Sequence, residues 1–391
     1  MVLHGLLALL HFPWFYLVTL LLAGIQHLRQ RHLERATLGI KVTRDVLHAF
    51  RSIGIGLLAG IAISAAFDYA HVPFSWQDGV SVWVLGTLFS LIDMRLACVS
   101  YSGSLVALAG LVSAWWVPGN APQVAVWLRA LHPFSLLVLI AAANAVEGVA
   151  TFLQMGIASP FLMKSRRGQI VGAFLLQGFW PLPIFALGSV PFSVLPNRTG
   201  IALGSPPQRV FFLGGVSISL YTILLAIALF FLRHSTPGLT IVALLALLSH
   251  AWLERFQVMR EEAQSPLYVR PKSGVRILAT LSGTPAKRIG LTPGETIARV
   301  GGMPVNSPYD LHFAIDQNPA YVKLEVIDSR GEMRWIGTPI FERDPHHLGC
   351  VFVPDERGVT ETNVLSVGKQ GRFFKLWRSV DAGERTVETP A

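Results

Sequence analysis

Apolar residues run in long unbroken stretches through the first 255 positions and alternate in short stretches after them. The long runs lie at about 11–25, 52–70, 80–92, 97–117, 133–153, 170–189, 209–232 and 239–253. A bilayer core takes about 20 apolar residues per helix, with a range of about 17–25. Several runs meet that length, and the pattern predicts seven or eight membrane spans. The 80–92 run is short unless it extends through Asp93 and Arg95. The 239–253 run ends in Ser249, His250 and Trp252. It either spans, lies in the interface, or dips in and returns. The first run has no Lys or Arg before it and a basic stretch after it. It therefore reads as a retained helix and not as a cleaved leader.

The remainder follows a different rhythm. Val275, Ile277 and Ala279 alternate as in a strand, and Gly283-Thr284-Pro285 turns the chain. Residues 286–289 predict a short helical turn stopped at Gly290, and Pro293-Gly294 predicts a turn. A second strand begins at Ile297, and Gly301-Gly302 closes a tight hairpin. Pro308 precedes an amphipathic helix over 309–317, with Leu311, Ala314 and Ile315 on one face. Val322, Leu324 and Val326 alternate again before the turn at 329–331. The organisation that follows is a multi-span α-helical bundle over 1–255, a mixed-charge connector over 256–271, a small α/β domain over 272–354, and a tail over 355–391.

Charge supports the division. The chain is 52% hydrophobic and only 14% charged, against about 25% in ordinary soluble domains. Residues 1–255 carry 15 Lys/Arg and 7 Asp/Glu, a net +8, whereas 256–391 carry 17 and 16, a net +1. The basic excess thus belongs to lipid-surface loops and not to a nucleic-acid footprint. Loops at 27–51 and 156–169 hold most of it, including Arg29, Arg31, Arg35, Lys41, Lys164, Arg166 and Arg167. The positive-inside rule places both in the cytoplasm and the N-terminus outside. Seven spans then put the C-terminal domain inside, and eight put it outside. The tail segment 366–380 interleaves Lys369, Arg372, Lys375 and Arg378 with Phe373, Phe374, Leu376 and Trp377. That composition suits an anionic lipid surface, or a solvated tail. Two cysteines, Cys98 and Cys350, make neither a disulfide framework nor a cysteine-based metal site.

The segment GTPAKRIGLTPGETI at 283–297 resembles the core of bacterial PDZ domains, with Ile289 in place of a small residue and Glu295 in place of the usual Asp. Gly301 likewise replaces the common Asn of the second hairpin. The resemblance implies a peptide added as a strand between 275–279 and the helix at 309–317, its carboxylate held by backbone N–H groups of the preceding loop. By position the loop is Lys272, Ser273, Gly274 and Val275, and the groove wall is Ile277, Leu311, His312 and Ile315. The competing reading makes these apolar residues plain core.

Two further stretches, 89–108 and 159–185, together with the order of parts, resemble the MinJ-type division determinants of Gram-positive rods. That resemblance implies a membrane scaffold that links a DivIVA-like polar protein to MinD and to division-machinery proteins, at septum and poles. In 159–185 the basic cluster reads as the cytoplasmic start of a membrane helix. Gly168 and Gly172 would permit close helix approach, and Trp180, Pro181 and Pro183 would mark its far end.

Glu147 lies within an apolar run, with Asn144 one turn before it, and Asp93 and Arg95 lie between two runs. An unpaired charge at mid-bilayer costs about 2.5–3.5 kcal/mol on insertion scales. Glu147 is therefore expected to face the bundle with a partner, Arg95 being one option, as a structural clamp or as a relay. A zinc protease would need two His at i and i+4 with Glu between them, and no H-E-x-x-H occurs. His250 and Glu254 share a helix face, but one such pair is a weak signal. G-x-S-x-G and phosphate-binding Gly-rich patterns are absent as well. The sequence thus predicts no catalytic centre, metal, cofactor or small-molecule substrate. Alternatives are a PDZ-bearing regulator of proteolysis or signalling, and a transporter built around Glu147.

Overall fold

The computed structural model describes residues 14–43, 45–116, 123–165, 168–185, 192–318, 320–328, 330–341, 347–354 and 365–366. The tail beyond 366, with its basic and aromatic residues, lies outside them. So do Arg166 and Arg167.

The apolar runs fold into helices α1 (Trp14–Leu38), α2 (Asp45–Tyr69), α3 (Trp76–Ile92), α4 (Val99–Trp116), α5 (Gln123–Arg129), α6 (Pro133–Phe152), α7 (Pro207–Leu232) and α8 (Thr236–Ala263). Among the described residues, four stretches are long and apolar enough to cross a membrane: Leu47–Tyr69, Pro133–Phe152, Pro207–Leu232 and Thr236–Ala263. The marginal run at 239–253 thus belongs to a 28-residue helix and does not turn back. Outward faces of α7 and α8 carry Leu220, Ile223, Leu224, Phe231, Leu244 and Leu248, all exposed. Such a girdle suits lipid and not water.

The main departure from expectation lies at 157–202. The 170–189 run and the wider 159–185 stretch form no membrane helix. They fold as strands β1 (Ile157–Lys164), β2 (Ile170–Phe179), β3 (Leu182–Ile184), β4 (Phe192–Val194) and β5 (Asn197–Ala202). β1 and β2 pair antiparallel from Ile157↔Gln177 to Lys164↔Ile170, and β2 pairs β5 from Phe174↔Ala202 to Phe179↔Asn197. The short strand β12 (Leu365–Ser366) adds parallel to β1, giving the order β12-β1-β2-β5. Lys164 therefore ends a strand and does not open a helix, and the Ser165 N–H donates to the Gln169 carbonyl at 2.8 Å.

Both faces of this sheet are apolar. Phe161, Met163, Val171, Ala173 and Leu175 meet Leu33 of α1 on one side. Leu162, Phe174 and Leu176 meet Phe211, Tyr268 and Leu278 on the other. A strand buried on two faces loses the polar alternation that would reveal it and reads as a continuous apolar run.

The hairpin β3–β4 is driven into the helical bundle itself. Leu182, Ile184, Phe192 and Val194 share one core with residues of α2 through α8. Helix α2 receives it along a stripe of small residues, Gly56, Gly60 and Ser64. A Cβ at Gly56 would stand 2.2 Å from the Pro181 carbonyl oxygen, and one at Gly60 would stand 2.3 Å from that of Pro183. One turn on, the Ser64 hydroxyl accepts the Phe185 N–H at 2.8 Å. Trp180, expected at an interface, is fully buried.

After α8 comes a second sheet built from β6 (Val275–Thr280), β7 (Thr296–Val300), β8 (Met303–Pro304), β9 (Tyr321–Ile327), β10 (Met333–Pro339) and β11 (Cys350–Phe352), with helices α9 (Pro285–Arg288) and α10 (Pro308–Asp316). The order is β10-β9-β7-β6-β11, with β8 paired to β7. The expected turns are present: Gly290, Gly301, Gly302 and Gly331 all take positive φ. A capping box between Ser307 and Asp310, with Pro308 at the first helical position, starts α10. Glu295 accepts the Thr292 N–H at 3.0 Å and pairs with Arg334 at 2.7 Å.

The stretch 256–271, read as a connector, is no free linker. Its first half is the end of α8, and Tyr268 is 1% exposed. The Gly172 N–H donates to the Tyr268 carbonyl at 2.8 Å. A Cβ at Gly172 would meet Leu278 Cδ1 at 2.4 Å. The close approach expected at this glycine is real, but it is made by strands of two sheets and not by helices.

Gly60→Leu is expected to cost at least about 3 kcal/mol, by overpacking against backbone that cannot yield. A Cβ at Gly54 would have nothing within 4 Å, so Gly54→Leu is the silent control. Thermal unfolding of both variants in detergent checks this, and equal melting temperatures would refute the hairpin wedge.

Candidate functional site

The first candidate region is the expected peptide groove. β6 is an interior strand, with β7 on one edge and β11 on the other. β11 pairs at Cys350↔Thr280, Val351↔Ala279 and Phe352↔Ile277. The Val353 N–H donates to the Arg276 carbonyl at 3.1 Å and extends this contact. The slot beside 275–279 is thus filled by the chain's own strand. Ile277, Leu311 and Ile315 are fully buried members of the domain core, along with Val275. His312 is exposed on α10, and Ser273 is exposed in the preceding loop. The Gly274 N–H, one of the expected carboxylate donors, is directed to Asn306 Oδ1 at 3.2 Å. Among the described residues, the outer strand next to this loop is β11. Its identity could not be read from sequence, because three residues following an unpatterned loop give no alternation to detect.

The second region is the polar interior of the helical part. Asp93 caps the short 3₁₀ turn Met94–Ala97 by accepting the Arg95 N–H at 3.0 Å. Asn144 accepts the Ser100 hydroxyl at 2.7 Å, and its amide nitrogen has no partner. Glu147 is fully buried on α6. The Cys98 thiol lies 3.9 Å from its Oε2, and among the described residues Oε1 has no hydrogen-bond partner. The charged groups acting on it are Arg198 and Glu254, whereas Arg95 lies beside Glu254 and Asp93.

Three other buried carboxylates each accept several hydrogen bonds. Asp78 accepts the Ser75 N–H and hydroxyl and the His132 N–H, at 2.7–2.8 Å, and meets His132 Nδ1 at 2.9 Å. Glu34 accepts Val42 N–H, Thr43 N–H and the Thr43 hydroxyl. Glu261 accepts three successive backbone N–H groups, from Leu203, Gly204 and Ser205, each at 3.1 Å. These three act as backbone clamps, a use that satisfies a buried charge. Sequence reading did not single them out, since their donors are main-chain groups that leave no sequence mark.

No family model matches the chain. The chain is 27% identical over 330 residues to the cell division topological determinant MinJ of Bacillus subtilis (strain 168), covering 78% of each. It is also 27% identical over 324 residues to the probable cell division topological determinants MinJ of Lacticaseibacillus paracasei and Lacticaseibacillus casei (strain BD-II). Those alignments cover 70% of this chain and 84% of each relative. Coverage of 78% cannot be met by the helical part alone, which ends at Ala263. The likeness to MinJ division determinants read from the sequence is borne out by these relatives.

Proposed function

We propose that this chain is a non-enzymatic membrane scaffold for division-site selection, tethering a DivIVA-like polar protein to MinD and to division-machinery proteins. The observation that carries the reading is the identity to MinJ across a length that takes in both the helices and the C-terminal domain. Confinement to the bilayer raises the effective concentration of partners, so weak individual contacts suffice. A fluorescent fusion in the native host is expected at septa and poles, and deletion of the gene is expected to give filaments or minicells. A uniform membrane signal with normal division would overturn this.

The C-terminal domain then faces the cytoplasm, where such partners reside. Support comes from three elements that meet on one side of the helices. The basic end of α1 packs Leu33 against β1 and β2. Lys164 ends β1 of the same sheet, paired to Ile170. That sheet is joined to the C-terminal domain through Gly172, Tyr268 and Leu278. Two basic loops that must stay cytoplasmic therefore carry the domain with them. Burial, with Glu295 adding to it, pushes the Cys350 thiol up to about 12, so at pH 7.5 it is almost wholly the unreactive protonated form. Cys350 is expected to resist a maleimide, whereas Lys272→Cys at an exposed position should react only after the cytoplasmic side is opened. Labelling of Lys272→Cys in intact cells by a membrane-impermeant maleimide would sink the assignment.

As a PDZ-type module, the domain would take its ligand at the outer edge of β11, since the edge of β6 is occupied. Amide hydrogen exchange with a bound C-terminal peptide of a division partner should slow at 350–353. Slowing confined to 275–280 would instead mean that β11 is displaced.

A further inference from the structure

The geometry points to a buried divalent metal site, with zinc the first expectation, that joins three parts of the helical bundle through Cys98, Glu147, His250 and Glu254. Cys98 stands at the junction leading into α4, Glu147 on α6, and His250 and Glu254 one turn apart on α8. A thiol sulfur, a carboxylate oxygen and an imidazole nitrogen of the first three all lie within 4.8 Å of one another, and all three residues are buried. Glu254 brings a fourth donor, with Oε1 3.8 Å from His250 Nε2.

The hydrogen bonding argues the same way. Among the described residues, Glu147 Oε1, His250 Nε2 and Glu254 Oε1 are all buried without a hydrogen-bond partner. Three other buried carboxylates, Glu34, Asp78 and Glu261, each accept three or more hydrogen bonds. Three orphaned acceptor-type atoms facing one thiol are what a cation would satisfy in one step. The surrounding contacts position the donors: the Tyr101 hydroxyl binds Glu254 Oε2 at 2.8 Å and leaves Oε1 for the cluster. The Tyr101 ring packs edge-on to His250 at 5.3 Å between centroids. An outer partner that orients a carboxylate ligand is a regular feature of metal sites.

The donor set suits zinc, which takes S, N and O ligands tetrahedrally at about 2.0–2.3 Å. Those bond lengths set ligand atoms roughly 3.3–3.8 Å apart. The observed 3.9 Å between Cys98 Sγ and Glu147 Oε2 and 3.8 Å between His250 and Glu254 are near that range. Among Cys98, Glu147 and His250 no separation exceeds 4.8 Å, so these three need at most about 1 Å of closing. Two carboxylates and a thiolate around a dication leave one negative charge, and the nearby cations Arg95 and Arg198 oppose it. Four protein donors leave no open position, so the site is structural and ties α4, α6 and α8 together.

The test uses the full chain, purified in detergent through a tag that is not metal-based, without chelators. Elemental analysis is expected to find about one zinc per chain, and Cys98→Ser or His250→Ala to lower it at least fivefold. Cys350→Ser should keep it. Because the chain has only two cysteines, cobalt exchange adds a readout that needs no folded variant at the site. Cobalt-loaded Cys350→Ser protein should show a sulfur-to-cobalt charge-transfer band, which Cys98 alone can supply. Absence of bound zinc after loading with zinc ion, absence of that band, or undiminished zinc in both Cys98→Ser and His250→Ala would each overturn the proposal.

Discussion

A β-hairpin lodged among apolar helices has no water to satisfy its backbone, and the rest of the architecture answers to that constraint. Each unpaired N–H or C=O in such a place costs several kcal/mol, so irregular backbone survives at membrane depth only when protein surrounds it. Here β3 and β4 pair with each other through Leu182↔Val194 and Ile184↔Phe192. The Ser64 hydroxyl takes the next N–H. Gly56 and Gly60 clear the width of a side chain so that α2 lies directly against the strand carbonyls. Small residues spaced by four on a membrane helix are usually read as a helix–helix contact. In this chain the same stripe receives a strand.

The buried carboxylates solve related problems at the ends of elements. Asp78 closes the start of α3 and reaches across to His132 at the start of α6. Glu261 gathers the three N–H groups of the loop that leaves β5 and anchors it to α8. Each placement trades the cost of burying a charge for several charge-assisted hydrogen bonds, which are roughly twice as strong as neutral ones. Glu147 stands outside this scheme, and its difference from the other three carries more weight than its burial alone.

What the sequence made legible follows from what leaves a periodic trace. The helices at 133–152 and 207–232 appear as apolar runs of span length, and the C-terminal turns appear as glycines at positive φ, such as Gly290 and Gly302. The sheet at 157–202 was hidden because both faces are covered, so Phe161-Leu162-Met163 shows no polar alternation. Pro181 and Pro183, which a helix would not welcome in sequence, were the available warning. The polar cluster around Glu147 was hidden for a separate reason. Cys98, Glu147 and His250 are separated by about 50 and 100 positions, and only the fold brings them together. Spacing rules that detect metal sites rely on ligands close in sequence.

The sheet at 157–202 also bears on the scaffold role proposed for this chain. A PDZ-type module on a flexible tether would capture partners independently of its membrane anchor. Here Tyr268, Leu278 and Val353 of the C-terminal part share one apolar cluster with Leu162, Phe174 and Phe211 of the membrane part. Val353 follows directly on β11, the outer strand where a ligand strand would add. A peptide held there would sit on a surface fixed to the bilayer, with its orientation set by the helices. Fixing that orientation removes freedom before binding, which lowers the entropic cost of assembling two partners on one platform. In the proposed scaffold, the double-faced sheet would be the element that ties the position of the C-terminal part, and of any partner on it, to the helices.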